Sequence, residues 1–338
     1  MSTLMAADMD AQPAVLRGLA GRRAEVLDRL RRHSGTLRGT IIVARGSSDY
    51  AAVFGRYVLE AATGRPVALA APSLTTLYDV ETDLEGWLAV GVSQSGRTPE
   101  IVSVLERYRA AGALTVAVTN QAPSDLSTIA HETVELGAGS ERAIPATKTF
   151  TAQLAAFAVI AEAWGTPPWG ETDWEAVPDA VERVLADPVP AERAAERVGD
   201  AAEMVCVARG HLTAVALEAA LKLREAAGVM AEGWSAADFR HGPIAAARAG
   251  VPVLAVGAAG PAATDVDELA QRLRDGGSTV LALGHRDDAD LPLPPSPGEP
   301  MAAIPAAVRA QQLALAVALR RGADPDRPAG LSKVTPTR

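Results

Sequence analysis

The chain carries one sequence pattern twice, and this duplication is the strongest constraint on its fold. An apolar segment followed by Arg-Gly occurs at residues 42–47 and again at residues 206–211. A second apolar segment, which ends in Gly, occurs at residues 88–91 and again at residues 254–257. The paired segments stand 164 and 166 residues apart, so both their order and their spacing are kept. The sequence therefore predicts two copies of one structural unit.

Each copy continues in the same way after its second apolar segment. Helical patterns at residues 101–111 and 266–275 lead into further apolar segments at residues 114–118 and 278–283. Strands that alternate with helices of about 10 to 15 residues are typical of parallel, doubly wound sheets. We predict an α/β fold of two tandem subdomains, each a doubly wound parallel sheet flanked by helices. Ligands of such sheets bind beyond the carboxyl ends of the strands.

The regions outside the two copies suggest domain boundaries. The predicted order is a helical segment at residues 1–38, a first subdomain at 39–165, a linker at 166–195, a second subdomain at 196–322 and a polar tail at 323–338. The helical segment has apolar side chains on a plausible inner face: Leu16, Leu19, Val26, Leu27 and Leu30. Within the second subdomain we expect a Pro-rich loop at residues 291–300 and a final helix at 302–321.

Composition and charge exclude several classes of function. The 338 residues are 48% apolar, enough for substantial cores, and carry a net charge of −9. Nucleic-acid binding requires a basic surface, so nucleic acid is not an expected partner. Cys206, the only cysteine, lies in an apolar run and predicts a buried structural thiol. The five histidines lack metal-ligand spacing, so no metal or other cofactor is expected.

The sequence also lacks the signals that direct a chain to a membrane. Its first residues do not form a signal peptide, and no apolar run in the sequence approaches the length of about 18 residues that a membrane span requires. We therefore expect a soluble, cytoplasmic protein without membrane contact.

A hydroxyl-rich loop between a strand and a helix is the clearest candidate binding site. Residues 93–98 read Ser-Gln-Ser-Gly-Arg-Thr; they follow an apolar run and precede Pro99, which favours the first turn of a helix. Backbone N–H groups and the positive end of the helix dipole attract phosphate at such a point. Four side chains add donors: Ser93, Gln94, Ser95 and Thr98. The alternative is a capped turn that binds nothing.

The residues of this loop narrow the class of ligand that it could bind. It lacks the lysine of a nucleotide-binding P-loop, so a sugar phosphate is expected rather than ATP. The corresponding loop after Gly257 has lost the Ser and Gln donors. We therefore expect one phosphate site per chain, in the first half.

Three further segments place ionisable residues in an apolar context. Glu218, Lys222 and Glu225 are spaced i, i+4 and i+7 and share one helix face; periodicity alone favours a solvated, salt-bridged face. His241 lies in a His-Gly-Pro turn; an imidazole suits proton transfer at neutral pH, although a lone histidine in a turn is commonly incidental. Lys333 lies in the polar tail, where a lysine usually has no role.

These segments and the loop match one protein family in order. The chain resembles the sugar isomerase (SIS) family, most closely the isomerase half of glutamine:fructose-6-phosphate aminotransferase, from about residue 43 to residue 335. The matching stretches are residues 45–48, 93–98, 146–151, 217–225, 240–243 and 331–335. The resemblance implies two SIS subdomains per chain and a homodimer whose active site is shared between subunits.

The resemblance also implies roles for the candidate residues. The substrate phosphate would be held by Ser48, Ser93, Gln94, Ser95 and Thr98. Ser47 would contact the sugar chain, and Ile144 and Ala146 would line the site through their backbone. Pro145-Ala146 replaces the usual Ala-Ser pair of the family, so the resemblance does not extend to a side-chain hydroxyl there.

Four residues would carry the chemistry that the resemblance implies. Glu225 would move a proton between C1 and C2, and Lys222 would act on the neighbouring oxygen or nitrogen. His241 would open the sugar ring from the partner subunit, and Lys333 would close over the sugar. One carboxylate can perform both proton transfers, and a held phosphate supplies binding energy that orients the reacting carbons.

The implied reaction converts glucosamine 6-phosphate to fructose 6-phosphate and ammonia. Met1 is not followed by Cys, and the chain is about half as long as the aminotransferase, so we expect no glutamine-splitting domain. The length and the Ala-Arg-Gly-Ser-Ser-Asp and Asp-Pro-Asp-Arg-Pro segments are similar to stand-alone SIS-type glucosamine-6-phosphate deaminases. Two alternatives stay open: an SIS enzyme for galactosamine 6-phosphate or a fructosamine 6-phosphate deglycase, and a non-catalytic sugar-phosphate sensor.

Overall fold

Two five-stranded parallel sheets organise the protein. The computed structural model describes residues 3–33, 35–295, 298–328, 330 and 331. The first sheet contains β1 (Gly39–Val43), β2 (Val67–Leu69), β3 (Trp87–Ser93), β4 (Leu114–Thr119) and β5 (Glu132–Glu135), in the order β2-β1-β3-β4-β5. The second contains β6 (Glu203–Ala208), β7 (Met230–Ser235), β8 (Val253–Val256), β9 (Val280–Gly284) and β10 (Leu291–Pro292), in the order β10-β9-β8-β6-β7.

The strand order confirms the predicted duplication. Read from β7, the second sheet repeats the order of the first, and all neighbouring strands in both sheets pair in parallel. Parallel neighbours need crossover connections, which are supplied by helices. The predicted α/β class, with two doubly wound parallel sheets flanked by helices, is therefore confirmed.

Helices connect and flank the strands. In the first half of the chain they are α1 (Leu4–Asp10), α2 (Gln12–Arg31), α3 (Ser47–Thr63), α4 (Pro72–Thr76), α5 (Pro99–Ala110), α6 (Asp125–Ile129) and α7 (Lys148–Trp164). In the second half they are α8 (Glu171–Ala186), α9 (Val189–Val198), α10 (Thr213–Ala227), α11 (Ala236–Arg240), α12 (Ala263–Asp275) and α13 (Glu299–Arg320). Short 3-10 turns occupy Gly210–Leu212 and Pro243–Ala246.

The chain divides into two compact units. The first unit contains residues 15–140 and 152–168 and holds the first sheet. The second unit contains residues 1–14, 141–151 and 169–331 and holds the second sheet. Each unit is described separately below.

The core of the first unit is built from apolar strands and the helices that cover them. The predicted apolar face of the N-terminal helical segment is buried, as five residues show: Leu16, Leu19, Val26, Leu27 and Leu30. A Cβ atom on Gly55 of α3 would lie 2.5 Å from the ring of Phe157 in α7, so glycine permits the two helices to approach closely. Phe157 is fully buried there, which stabilises the unit by about 2–3 kcal/mol.

Helix α13 is the central helix of the second unit. By length and composition alone it could cross a membrane, but 83% of its most apolar 18-residue stretch is buried inside the protein. Its buried Arg309 donates hydrogen bonds to the backbone oxygens of Asp187 (2.6 Å) and Pro292 (3.2 Å) and to the Gln312 side chain (2.7 Å). Because the guanidinium is satisfied in this way, α13 can carry a cation in a dry interior.

The region predicted as a Pro-rich loop differs in part from the prediction. Leu291 and Pro292 form the short edge strand β10, and α13 begins at Glu299 rather than near residue 302. Pro300 stands in the first turn of α13, where a missing N–H group costs nothing. An edge strand and a helix start both tolerate proline, which explains why composition alone suggested a loop.

Candidate active site

The first unit has a natural binding crevice where its strand order reverses. Strands β1 and β3 pair in parallel, with Val43 opposite Gly91, and the chain leaves them in opposite directions across the sheet. In doubly wound folds ligands bind at this switch point, beyond the carboxyl ends of the strands. Helix α3 begins at Ser47, just after β1, and α5 begins at Pro99, just after β3. The amino ends of both helices therefore follow the two strands that form the crevice.

The loop after β3 is shaped by its own hydrogen bonds. The hydroxyl oxygens of Ser93 and Thr98 lie 2.9 Å apart, and the Gly96 N–H donates to the carbonyl and hydroxyl oxygens of Ser93, both at 3.2 Å. The Arg97 N–H donates to the Ser95 hydroxyl at 3.3 Å. Gln94, Ser95 and Thr98 remain partly exposed. The loop is thus pre-formed, with side-chain donors that can still reach a solute.

Gly96 is required by the conformation of this loop. Its φ is +62°, in the left-handed region that side chains other than glycine rarely adopt. A Cβ atom at this position would lie 2.2 Å from the Ser124 hydroxyl and 2.8 Å from the Thr119 hydroxyl. Backbone conformation and close packing therefore both select glycine.

The loop after β1 brings the other two predicted phosphate and sugar residues to the same edge of the sheet. Ser47 is the first residue of α3 and is partly exposed, and Ser48 is buried. The Gln153 side chain donates to the Ser48 hydroxyl oxygen at 2.9 Å, which leaves the Ser48 O–H free to act as a donor. The two loops that carry the six predicted residues therefore follow adjacent strands at one edge of the first sheet: Ser47, Ser48, Ser93, Gln94, Ser95 and Thr98.

An ion pair that was not predicted links the two loops. The Arg45 guanidinium donates two hydrogen bonds to the Glu100 carboxylate, both at 2.9 Å. Glu100 lies in the first turn of α5 and its side chain is only 4% exposed. An unpaired carboxylate there would repel a phosphate, so Arg45 offsets its charge and fixes the two loops together. The residues stand 55 apart in sequence, and nothing in the sequence pairs them.

The second unit buries the charged face of α10. Lys222 is fully buried; its ammonium group lies 3.4 Å from Glu218 and also contacts Glu225 directly. Glu218 is 2% exposed, whereas the Glu225 side chain keeps 21% exposure. The solvated face favoured by periodicity is therefore wrong, because α10 packs against β6, β7 and α13.

Neighbouring carboxylates keep Lys222 protonated. Burial alone would lower the pKa of the Lys222 ammonium, but the charges of Glu218, Glu225 and Glu141 outweigh burial and raise it. Lys222 therefore acts as a fixed cation beneath Glu225. Glu218 was named only for its spacing in the sequence, and its position below Lys222 assigns it to holding that cation.

Glu225 faces a cavity of about 710 Å³. The cavity is lined by α10 and by the start of the C-terminal tail: Leu221, Arg224, Glu225, Ala226, Ala227, Gly228, Ala323, Asp324, Arg327, Pro328 and Leu331. A carboxylate that is held by a buried cation and faces an open cavity can exchange a proton with a bound molecule.

Of the four predicted catalytic residues, Glu225 alone is among the described residues that line this cavity. His241 directly follows α11, is exposed, and does not line the cavity of Glu225. Its backbone N–H donates to the carbonyl oxygen of Asp238 at 3.0 Å. Lys333 lies outside the described residues. The roles given to both residues stay predictions.

The segment that contains Ile144 and Ala146 is held by buried polar groups of the second unit. The Asp8 carboxylate accepts hydrogen bonds from the Arg142 and Ala143 N–H groups, at 2.7 and 2.9 Å, and from Lys148 Nζ at 2.9 Å. Glu141 also accepts from the Thr147 N–H at 2.7 Å. Ile144 and Ala146 themselves remain partly exposed. These hydrogen bonds fix the backbone on both sides of Ile144 and Ala146, and the lining role of the two residues stays a prediction.

The switch point of the second sheet is occupied by the protein itself. The Glu299 carboxylate accepts from the Ala262 N–H at 3.3 Å and lies 3.0 Å from His211 Nδ1. A Cβ atom on Gly210 or Gly260 would come within 2.7 Å of this carboxylate. Burial raises the pKa of the Glu299 carboxyl, but the hydrogen bonds from His211 and Ala262 outweigh burial and lower it. A second anion there would meet this negative charge, which supports the expectation of one phosphate site per chain.

Comparison with known proteins gives the family. The SIS domain family model matches residues 38–163 and 199–292. The chain is 31% identical over 307 residues to glutamine–fructose-6-phosphate aminotransferase [isomerizing] of Methanothermobacter thermautotrophicus, covering 88% of this chain and 52% of that protein. The chain belongs to the SIS domain family. It spans about half the length of the curated relatives that it matches.

Solved structures agree with this assignment. The chain is similar to a solved structure from Silicibacter pomeroyi that is described as a phosphosugar isomerase. The two chains are 31% identical with a TM-score of 0.86, and the match covers 96% of this chain and 100% of that chain. Glucosamine-6-phosphate deaminase of Thermotoga maritima has 23% identity and a TM-score of 0.81, with 99% and 100% covered. At that identity the second likeness establishes the fold alone.

Proposed function

We propose that this SIS protein is an aminosugar-phosphate deaminase and isomerase. It would convert glucosamine 6-phosphate to fructose 6-phosphate and ammonia. The observation that carries the proposal is the pairing of cavity-facing Glu225 with the buried, protonated Lys222. The relationship to isomerizing aminotransferases supports the same chemistry on an amino sugar phosphate.

The proposal assigns phosphate binding to the first unit. The crevice between β1 and β3 offers hydroxyl donors and two helix amino ends, which together suit a phosphate dianion. Pairing with Arg45 offsets the negative charge of Glu100 at the start of α5. Binding the phosphate would supply energy to hold the open-chain sugar, which raises the rate of a step at distant carbons.

The proposal assigns proton transfer to the second unit. Glu225 would remove the proton from C2 and return it to C1, while the fixed Lys222 cation keeps the carboxylate in place. Water would then release ammonia from the resulting imine carbon. The reaction consumes one water molecule: its oxygen becomes the carbonyl oxygen of fructose 6-phosphate, and the nitrogen leaves as ammonia. No redox step is involved.

The first experiment measures ammonia and fructose 6-phosphate formed from glucosamine 6-phosphate by the full chain. The Glu225→Gln variant should lose activity about 100-fold or more, because a positioned general base contributes on that order. Glu232→Gln is the matched control, since Glu232 is an exposed carboxylate of β7 that accepts a hydrogen bond from the Trp234 indole N–H. The two variants should bind glucosamine 6-phosphate equally well.

Other outcomes would separate the alternatives. Turnover of galactosamine 6-phosphate or a fructosamine 6-phosphate, but not of glucosamine 6-phosphate, would move the proposal to another substrate of the same chemistry. Binding without any turnover, unchanged in Glu225→Gln, would contradict the enzyme and favour a sensor.

We further propose that the active form is a homodimer. Each active site would receive His241 from the partner subunit. In support, His241 is exposed and absent from the lining of its own chain's Glu225 cavity. Mixing inactive Glu225→Gln and His241→Asn chains should then restore part of the activity, because some mixed dimers contain one intact site. No recovery after subunit exchange would count against the shared site.

A further inference from the structure

The C-terminal tail brings a cation to the Glu225 cavity. Asp324, Arg327 and Leu331 line the same cavity as Glu225, although more than 90 residues separate them in sequence. Nothing in the sequence pattern assigns a role to Arg327. Arg327 nevertheless lines the same cavity as Glu225, the candidate carboxylate for proton transfer.

The tail is fixed next to Arg327 by its neighbour Asp326. The Asp326 carboxylate accepts hydrogen bonds from the N–H groups of Leu4 and Met5, both at 2.7 Å, in the first turn of α1. Its carbonyl oxygen accepts from the Ile144 N–H at 3.3 Å. A carboxylate at a helix amino end is favoured by the free N–H groups and by the helix dipole. Arg327 therefore projects from an anchored point of the tail.

Among the described residues that line the cavity, the charges leave one cation available to a solute. Lys222 is fully buried beneath Glu225 and does not line the cavity. Arg224 lines the cavity, but its guanidinium donates to the Ala231 carbonyl oxygen at 2.8 Å. Arg327 is exposed, and within the described part of the chain its guanidinium has no hydrogen-bond or ion-pair partner. No described residue occupies these donors, so they can bind a molecule in the cavity.

We propose that Arg327 binds the sugar substrate beside Glu225 and donates hydrogen bonds to the oxygen of the reacting carbon pair, with Asp326 as its positioning residue. This inference rests on the proposed function. When Glu225 takes a carbon-bound proton, the C–H electron pair forms the C=C bond and the carbonyl pair moves onto oxygen. The negative charge thereby passes from the carboxylate to the substrate. A guanidinium at that oxygen stabilises the charge as it develops.

Arg327→Ala tests the contact directly. We expect kcat/KM for glucosamine 6-phosphate to fall roughly ten- to a hundredfold, the range for loss of a hydrogen bond to a charged group. Arg327→Lys should recover part of the loss, because it restores the charge without the fork of donors. Millimolar guanidinium added to Arg327→Ala should also restore part of the rate. A purely structural role would not respond to the added ion.

Two further variants complete the test. Arg320→Ala is the matched control, since Arg320 is an exposed arginine that lines a different, mostly apolar groove between α1, α9 and α13; it should show neither loss nor rescue. Asp326→Asn should lower kcat/KM less than Arg327→Ala does and should not respond to guanidinium. The melting temperature of Arg327→Ala should match that of the wild type, because an exposed side chain is removed.

The outcomes distinguish this inference from the proposed function. An active wild type with an Arg327→Ala variant of unchanged kcat/KM would overturn the inference and leave the function intact. A wild type without turnover would overturn the function. Arg327 would then be tested by the dissociation constant of glucosamine 6-phosphate, and an equal constant in wild type and Arg327→Ala would overturn the inference as well.

Discussion

Replacing Gly96 by alanine should destabilise the first unit through two separable effects. At φ +62° an alanine costs about 1 kcal/mol or slightly more relative to glycine. The new Cβ would also lie 2.6 Å from the Ser124 Cβ, a contact that rotation of the Ser124 hydroxyl cannot relieve. Overpacking of this kind costs about 1–3 kcal/mol. We therefore expect Gly96→Ala to lower the free energy of unfolding by about 2–4 kcal/mol.

Gly64→Ala separates the two effects. Gly64 ends α3 with a φ of +64°, almost the same as that of Gly96, but nothing lies within 4 Å of its Cβ position. We expect it to cost only about 1 kcal/mol, in urea denaturation followed by circular dichroism. Gly96→Ala should also reduce the thermal stabilisation given by glucosamine 6-phosphate, whereas Gly64→Ala should not. Equal losses of stability in the two variants would refute the steric argument.

Three further predictions concern the second unit. Glu299→Gln should destabilise the protein at pH 7. The folded Glu299 carboxyl has a pKa below its usual 4.5, so its contribution is present above pH 4.5 and is lost as the pH falls through the folded pKa; the difference in urea midpoint from wild type should therefore shrink as the pH is lowered below 4.5. Arg309→Met leaves the oxygens of Asp187 and Pro292 without donors and should cost about 2–5 kcal/mol; an unchanged urea midpoint would contradict the assigned hydrogen bonds. Burial raises the pKa of the Cys206 thiol to about 12, so a disulfide reagent at pH 8 should modify one thiol per chain only after unfolding.

The sequence predicts the sheets well because their strands are buried on both faces. Such strands appear as continuous apolar runs, and the two copies at offsets of 164 and 166 residues reinforce each other. The phosphate crevice is also predictable, because its donors are local: Ser93, Gln94, Ser95 and Thr98 stand in one loop between a strand and a helix. Signals of this kind do not depend on contacts between distant segments.

Features that depend on contacts between distant segments cannot be predicted from the sequence. Helical periodicity shows that Glu218, Lys222 and Glu225 share a face, but it does not show that β7 and α13 cover that face. The Arg45–Glu100 pair joins residues 55 apart, and an acidic residue in a first helical turn is common for reasons of the helix dipole alone. Glu299 was missed for a different reason, because the proline-rich residues around it suggested a loop.

The Glu299 carboxylate can be regarded as a ligand that is covalently attached to its own site. An attached group has a fixed effective concentration and cannot be diluted or removed by competition. The amino end of α12 therefore has its anion at every ligand concentration, whereas the crevice of the first unit would gain one only on binding. Ligand would then add stability by an amount that depends on its concentration, whereas the contribution of Glu299 is constant. Titration with a sugar phosphate should accordingly saturate at one equivalent per chain, even though the scaffold is present twice.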